Sequence, residues 1–251
     1  MRSHIFLLGL SLVALSTPSP AAQATVFPQA CVASDDLLTA DTPLEHVAAA
    51  IAGGNLNVLA IGSATTSGEQ QGSTPGQSFP YRMVEDLRAQ LPKTQVSLTV
   101  LGHRGLTAEA MLPLLIRALK EHRYDLVVWQ TGTVEAVRGL RPDGMRSALE
   151  AGIEVIRASG GDVVLIDPQF SRFLRANADL DPYQTVMQQL ATLSGVVLFR
   201  RYDLMAEWAS AGQIDLERAE KPDRAKVVSL LNSCLGQALA RFVLSGAALK
   251  P

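Results

Sequence analysis

The sequence lacks most of the features that place a protein in a specialised class. Only 2 of its 251 residues are cysteine, too few for a disulfide scaffold, and its 4 histidines do not have the spacing of a metal site. The 22 basic and 24 acidic residues leave a net charge of -2, without a lysine or arginine block that would follow a phosphate backbone. Glycine-rich nucleotide-binding motifs are also missing. We therefore expect no metal, no cofactor and no nucleic-acid partner.

Long apolar stretches are scarce too, and the one that stands out lies at the start of the chain. Arg2 precedes an apolar run over residues 5–15, and small residues follow at Ala22-Gln23-Ala24. This pattern is typical of a secretory signal peptide, with cleavage expected after Ala24. A membrane anchor is the alternative, but it needs about 20 apolar residues, and Pro18 and Pro20 interrupt this run.

Cleavage at this position leaves residues 25–251 as a single domain that is periplasmic or secreted, with no stable membrane insertion. In such an oxidising compartment the two cysteines of the chain, Cys31 and Cys234, favour a disulfide bond. Two buried thiols are the alternative.

Five short apolar runs predict β-strands that are covered on both faces, because they are nearly continuous rather than alternating. They span residues 57–61, 96–101, 125–129, 162–166 and 196–199. Helical patterns precede, separate and follow them, over residues 44–52, 79–91, 107–122, 142–158, 182–193, 204–211 and 223–244. The alternation predicts an α/β protein, a flavodoxin-like three-layer α/β/α sandwich around a five-stranded parallel sheet.

In such a sheet a ligand binds beyond the carboxyl ends of the strands, so the loops that follow the strands are the candidate site. These loops are residues 62–68, 102–107, 130–135 and 167–170, and glycine and polar side chains dominate them.

The residues of these loops resemble the SGNH/GDSL hydrolase family. That family carries Gly-Asp-Ser-x-Thr after its first strand, a glycine after the second, Gly-x-Asn-Asp after the third, and Asp-x-x-His near the carboxyl end. Residues 57–68, 100–111, 124–136 and 162–170 fit this spacing. The resemblance implies the SGNH hydrolase fold, and it implies ester hydrolysis wherever the reactive residues are kept.

Most of the family's reactive residues are absent from the corresponding positions of this sequence. Ala64 stands where the family has its nucleophilic serine, and Val134 stands where it has the asparagine that binds the oxyanion. Gly105 does match the oxyanion glycine. No histidine follows His122, so Asp215 has no base after it. A hydroxyl without a base is a poor nucleophile at neutral pH, which indicates a catalytically degenerate member.

Ser63 and His103 are the remaining candidates for catalysis, with Thr65 as an alternative nucleophile. Ser63 lies one position before Ala64, and His103 is the one histidine in the candidate loops. The alternatives are that Ser63 and Thr65 brace the loop or cap a helix, and that His103 faces solvent.

Two carboxylates at neighbouring strand ends, Glu135 and Asp167, raise a further possibility, since paired carboxylates can hydrolyse glycosides. Their alternative roles are structural: Glu135 replaces the family's aspartate, and an aspartate before Pro168 commonly forms a turn.

The rest of the predicted rim is polar and suits a small-molecule or glycan ligand rich in hydroxyl groups. The candidate ligand-binding residues are Ala64, Thr65, Arg104, Gly105, Gly132, Thr133 and Glu135. Gln130, Gln169 and Asn177 extend this rim. Three arginines could also hold a uronate or another carboxylate, namely Arg104, Arg172 and Arg175. Alternatively, these arginines pair with Asp179, Asp181 or Glu135.

Three functions therefore remain open from the sequence. The first is an exported, degenerate SGNH-like protein that binds or positions an acylated glycan or an envelope polymer. The second is an active esterase or deacetylase that uses Ser63 or Thr65 with His103. The third is a structural module that binds a protein partner in the envelope.

Overall fold

The computed structural model of the protein describes residues 31–70, 73 and 76–248. The predicted signal peptide, residues 1–24, lies outside these residues. Five parallel strands form one sheet in the order β2-β1-β3-β4-β5. They are β1 (Asn55–Gly62), β2 (Gln95–Gly102), β3 (Leu126–Gln130), β4 (Asp162–Ile166) and β5 (Val196–Phe199).

Ten α-helices accompany this sheet in the described part of the chain. They are α1 (Glu45–Ala52), α2 (Ala64–Ser67), α3 (Phe79–Gln90), α4 (Ala108–Glu121), α5 (Thr133–Val137), α6 (Pro142–Ala158), α7 (Arg172–Asn177), α8 (Asp181–Leu190), α9 (Arg201–Ser210) and α10 (Arg224–Ala248).

The predicted three-layer α/β/α sandwich is confirmed, and all five predicted strands are present. β3 shows why its sequence is continuously apolar: all five of its residues are buried. Leu126 and Val128 pack on one side with α1, α3, α9 and α10, whereas Val127 and Trp129 pack on the other with α4, α6 and α8. A strand covered on both faces has no solvent side for polar residues.

The short helices α2, α5 and α7 lie in segments that the sequence pattern predicts as loops. Segments of four to six residues are too short to show helical periodicity. α9 also begins at Arg201, three residues before the predicted start at residue 204. Arg201 therefore lies two residues after β5, at the end of the sheet where the candidate loops lie.

The C-terminal helix α10 is, among the described residues, the one helix long and apolar enough to cross a membrane by length and composition. Its most apolar window is 61% buried. Leu235, Leu239 and Val243 belong to the core cluster that also contains Met83 and Leu87 of α3. The apolar character of α10 is therefore explained by packing inside this domain.

A disulfide bond joins Cys31 to Cys234 of α10, with 5.1 Å between the two Cα atoms. The bond predicted from the sequence is therefore present. Both cysteines are fully buried, and the residues they connect are 203 positions apart. The bridge fastens the segment before α1 to the longest helix of the core.

Removal of this bridge is expected to lower the free energy of unfolding. A disulfide that closes a loop of this length restricts the unfolded chain. In the chain-entropy model this restriction stabilises the folded state by about 5 kcal/mol at most. The variant Cys31→Ala with Cys234→Ala should therefore unfold at a lower urea concentration than the wild type. Dithiothreitol should lower the midpoint of the wild type alone. Equal midpoints for oxidised wild type and double variant would contradict a stabilising role.

Candidate functional site

The carboxyl ends of the strands open into one cleft, at the edge that the sequence predicts. Gly62 of β1 lies beside Gly102 of β2, and Gln130 of β3 lies beside Ile166 of β4. The loops that follow these strands border a cleft of about 520 Å³. Its lining includes Ser63, Ala64, Thr65, Gln70, Arg104, Gly105, Gln130, Thr133, Val134, Val137, Arg138, Gln169, Arg201, Leu216, Glu217 and Arg224.

Ala64 lies at the first position of α2 and lines the cleft. The turn from β1 into α2 is tight: a Cβ atom at Gly62 would lie 2.1 Å from Oγ1 of Thr66. Gly62 therefore permits the helix to begin directly after the strand. At the position that the resemblance assigns to the nucleophile, the cleft meets a methyl group instead of a hydroxyl group.

The hydroxyl groups around Ala64 converge on the side-chain amide of Gln130. Oε1 of Gln130 lies 3.3 Å from Oγ of Ser63 and 3.0 Å from each Oγ1 of Thr65 and Thr66. The backbone N–H of Ser63 donates to the same oxygen over 3.3 Å. An amide oxygen accepts a hydrogen bond but does not take up the proton at neutral pH, so it cannot serve as the base that activates a hydroxyl group.

His103 is held by a carboxylate that the sequence interpretation does not include. Its Nδ1 lies 3.0 Å from Oε1 of Glu69, and its side chain is 71% exposed. Oε2 of Glu69 accepts a bond of 2.8 Å from the backbone N–H of Arg104. This backbone N–H is the main reason that the pKa of the Glu69 carboxyl lies below its ordinary value, and the hydrogen bond with the His103 ring lowers it further.

Within the described residues, no hydrogen bond joins His103 to Ser63 or Thr65. The two predicted catalytic side chains therefore lie on loops that border the same edge of the sheet. Ser63 contacts Gln130, however, and His103 contacts Glu69. The sequence places both at the correct end of the sheet without bringing them into a nucleophile and base pair.

Of the two positions that correspond to the oxyanion site, Val134 differs from the family pattern and Gly105 keeps it. Val134 lines the cleft and offers an apolar side chain. Gly105 keeps the left-handed backbone expected of glycine, with φ at +81°. A Cβ atom built at Gly105 would lie 2.7 Å from a terminal nitrogen of Arg138, so this guanidinium group packs against the glycine.

Glu135 braces the loops and does not line the cleft. Its side chain is buried, and Oε1 accepts bonds of 2.6 Å from the backbone N–H of Ala108 and 2.8 Å from the hydroxyl group of Thr131. Oε2 accepts a bond of 3.0 Å from the backbone N–H of Gly132. The carboxylate thus ties the beginning of α4 to the loop after β3, where the partial positive charge of a helix N-terminus favours an anion.

Asp167 and Arg201 are two buried charged residues beneath the cleft. Oδ1 of Asp167 accepts a bond of 2.9 Å from the backbone N–H of Tyr202, and Oδ2 accepts one of 3.3 Å from Gln184. Burial raises the pKa of Asp167 to about 7. Burial also lowers the pKa of Arg201 to about 10, against the opposing effect of the Asp167 charge. Asp167 and Glu135 share no hydrogen bond in the described part of the chain.

Arg201 is the functional candidate that the sequence interpretation misses. Its Nη1 donates to Oγ1 of Thr65 over 3.3 Å, while Nε and Nη2 have no partner among the described residues. A signal was available: Arg201 is the second residue after the last apolar strand, at the same edge as the other candidate loops.

The other arginines considered from the sequence lie away from the cleft floor. Nη1 of Arg172 pairs with Asp215 at 2.9 Å and with Glu217 at 3.6 Å. Arg172 is thus paired on the surface, although with different acids from those suggested by the sequence. Arg175 and Asn177 border a separate depression beside α7 and α8. Among the residues that the structure describes, no group of three histidine, cysteine or acidic side chains could hold a metal ion.

The fold and the arrangement of the loops define an SGNH/GDSL-hydrolase-like protein. Residues 30–249 match the non-GDSL lipase-like family, and the chain belongs to that family. No curated protein matches the sequence.

Solved structures with a similar fold include several hydrolases. A two-domain esterase active on acetylated mannans is 17% identical, with a TM-score of 0.60 over 80% of this chain and 53% of that one. A mutant acetyl-xylooligosaccharide esterase from Geobacillus stearmophilus is 14% identical, with a TM-score of 0.59 over 78% and 95%. An α/β hydrolase from the metagenome of Lake Arreo, Spain, is 16% identical, with a TM-score of 0.56 over 72% and 96%. At these identities the similarity shows the fold.

Replacement of Asp167 by asparagine is expected to flatten the pH dependence of stability. The pKa of about 7 in the folded protein exceeds the value of about 3.9 in an unfolded chain. The folded state therefore keeps a proton that the unfolded state has lost, so the free energy of unfolding falls between about pH 4 and pH 7. Asp167 contributes a few kcal/mol to this fall, to order of magnitude. Urea unfolding at about pH 5 and about pH 8 measures it.

The control is Glu154→Gln, which removes an exposed carboxylate of α6 that is not among the groups acting on the pKa of Asp167. This control should keep the pH dependence of the wild type. An unchanged pH dependence in Asp167→Asn would show that the buried carboxyl titrates normally in the folded state.

Proposed function

We propose that this protein is an exported member of its family that has lost ester hydrolysis and that binds a hydroxyl-rich ligand, such as an acylated glycan, in the cleft. The observation that carries this proposal is the methyl group of Ala64 at the nucleophile position, surrounded by hydroxyl groups that face the amide of Gln130.

Ester hydrolysis by a serine enzyme requires a nucleophile, a base and an oxyanion donor. In this cleft, Ala64 removes the nucleophile and Val134 removes a side-chain donor. Within the described residues, His103 neither lines the cleft nor makes a hydrogen bond to Ser63 or Thr65. Loss of a single oxyanion donor already costs a factor of about 10²–10³ in rate. The three differences together support binding without turnover.

The same cleft retains the groups that bind a polar ligand. An amide oxygen has two lone pairs, whereas four donors lie within 3.3 Å of Oε1 of Gln130. Some of the hydroxyl hydrogens of Ser63, Thr65 and Thr66 are therefore free to bond to a ligand. A volume of about 520 Å³ lies within the range of about 300–1,000 Å³ that is usual for small-molecule sites.

The choice of an acylated glycan draws support from two proteins of similar fold. One is active on acetylated mannans and the other is an acetyl-xylooligosaccharide esterase. A cleft that keeps the shape of such a site without its nucleophile would hold the ester group intact.

The purified protein is expected not to hydrolyse p-nitrophenyl acetate above the rate of a heat-unfolded sample. Ala64→Ser should not restore turnover, because no histidine is among the described residues that line the cleft and could serve as its base. The measurement is the initial rate of p-nitrophenolate release. Turnover that is lost in Ser63→Ala or His103→Ala, and kept in Ser194→Ala or His122→Ala, would establish the altered esterase instead. The two control side chains are exposed residues outside the cleft lining.

Binding itself is measured by titration calorimetry with an acetylated xylo-oligosaccharide. We expect saturable binding that Thr65→Val weakens about fivefold, since one hydrogen bond between neutral groups contributes about 1 kcal/mol. Absence of binding to acetylated and unacetylated oligosaccharides alike would favour the third possibility, a module that binds a protein partner.

Export is tested by sequencing the N-terminus of the protein recovered from its producing cells. The proposal predicts a mature chain that begins at Thr25 in the periplasmic or culture fraction. An intact chain that begins at Met1 in the cytoplasmic fraction would contradict export.

A further inference from the structure

The cleft is positively charged in a protein that is negatively charged as a whole. Four guanidinium groups border it, those of Arg104, Arg138, Arg201 and Arg224, while Glu217 is the one carboxylate among the described lining residues. The complete chain has a net charge of -2. Clefts lined by charge of one sign focus the field and concentrate ligands of the opposite sign.

The single carboxylate does little to offset this charge, because it is already engaged. Glu217 accepts hydrogen bonds from the hydroxyl group of Ser171 and from the backbone N–H groups of Arg172 and Phe173, and it lies 3.6 Å from the Arg172 guanidinium. Arg172 itself does not line the cleft. Donors outside the cleft lining therefore already compensate the negative charge of Glu217.

Arg201 gives the cleft a buried charge with unused donors. The residue is 2% exposed and lines the cleft, and its Nε and Nη2 have no partner among the described residues. Its Nη1 donates to Oγ1 of Thr65. This bond occupies a lone pair of the Thr65 oxygen and leaves its hydrogen to be donated elsewhere. A buried guanidinium group is costly unless an anion compensates it. The charge of Asp167 does so in part, but no ion pair joins Asp167 to Arg201 in the described part of the chain.

Two exposed arginines complete the arrangement. Arg138 packs against Gly105, and neither Arg138 nor Arg224 has an ion pair or a side-chain hydrogen bond within the described part of the chain. The buried hydroxyl group of Thr133, which also lines the cleft, lacks a partner there too. These donors border the same space as Ala64, where the missing side-chain oxygen leaves room.

We infer that the cleft selects a saccharide that carries an oxyanion, a carboxylate or a phosphate, which the Arg138 and Arg224 guanidinium groups bind above the buried charge of Arg201. Guanidinium groups match both oxyanions through paired N–H donors. This inference rests on the proposed function and narrows its ligand from hydroxyl-rich glycans in general to acidic ones. It also replaces the arginine set considered from the sequence, since Arg172 and Arg175 do not line this cleft.

The test compares ligands of equal length that differ in charge. Titration calorimetry is carried out with a neutral xylo-oligosaccharide, with the same oligosaccharide bearing one glucuronic acid, with a sugar phosphate and with inorganic phosphate. We expect the acidic oligosaccharide or the sugar phosphate to bind at least about tenfold more tightly than the neutral oligosaccharide, as hydrogen bonds to charged groups are the stronger ones. The preference should weaken as salt rises. Whichever of the two binds more tightly identifies the source of the oxyanion.

Variants separate this inference from a general effect of charge. Arg138→Gln and Arg224→Gln remove exposed guanidinium groups, so we expect each to weaken binding of the acidic ligand about fivefold or more and to leave the neutral oligosaccharide unchanged. The matched control is Arg157→Gln, an exposed arginine beside the amino-terminal end of β4. It should change neither affinity. Because these three residues are exposed, their variants should fold as the wild type does.

The outcomes distinguish the two proposals. Equal binding of neutral and acidic oligosaccharides, unaffected by Arg138→Gln and Arg224→Gln, would overturn this inference and leave the proposed function intact. Absence of binding by any saccharide would overturn both. Binding of inorganic phosphate alone would replace the acidic saccharide with a free anion and overturn the inference as well.

Discussion

At the carboxyl end of β3, the side-chain oxygen of Gln130 lies within 3.3 Å of four donors, the backbone N–H of Ser63 and the hydroxyl groups of Ser63, Thr65 and Thr66. The loop after β1 is thereby held against the neighbouring strand of the sheet. Gly62 makes this approach possible, because a Cβ atom there would lie 3.0 Å from the same oxygen and closer still to Thr66. The position of Ala64 in the cleft depends on this contact.

The interaction that shapes the loop also decides its chemistry. A hydroxyl group becomes a nucleophile when a basic nitrogen or a carboxylate removes its proton. An amide oxygen does not remove it. Within the described residues, the imidazole group of His103 makes no hydrogen bond to these hydroxyl groups and does not line the cleft. The buried charge beneath the loop, Arg201, donates to Thr65 rather than accepting a proton. The described contacts around Ala64 therefore support the proposal that the cleft binds a ligand without cleaving it.

The sequence was sufficient to predict the sheet and the edge that carries the site. Apolar runs such as residues 126–130 reveal a strand buried on both faces, since each face requires apolar residues. The substitutions at Ala64 and Val134 were equally visible, because each is defined by its position after a strand. These features are local, or they follow from the geometry common to all parallel sheets.

Partners that lie far apart in the chain could not be predicted in this way. Glu69 and Arg104, or Arg201 and Thr65, meet because of how the loops are packed, and the hydrogen-bonding capacity of a side chain does not say which neighbour satisfies it. Glu135 illustrates the same limit: its sequence position suggested a cleft residue, yet its carboxylate turns inward to bind the N–H groups of Ala108 and Gly132. The apolar pattern does not indicate Arg201, because it predicts a helix that begins three residues later.

The central claim is that the cleft contains no hydroxyl group that can be activated. Intact-protein mass spectrometry after exposure of the folded protein to a fluorophosphonate measures this directly, since such reagents label an activated hydroxyl group covalently. We expect an unchanged mass for the wild type under conditions that label a serine esterase completely. A stoichiometric adduct that peptide mapping assigns to Ser63 or Thr65 would contradict it.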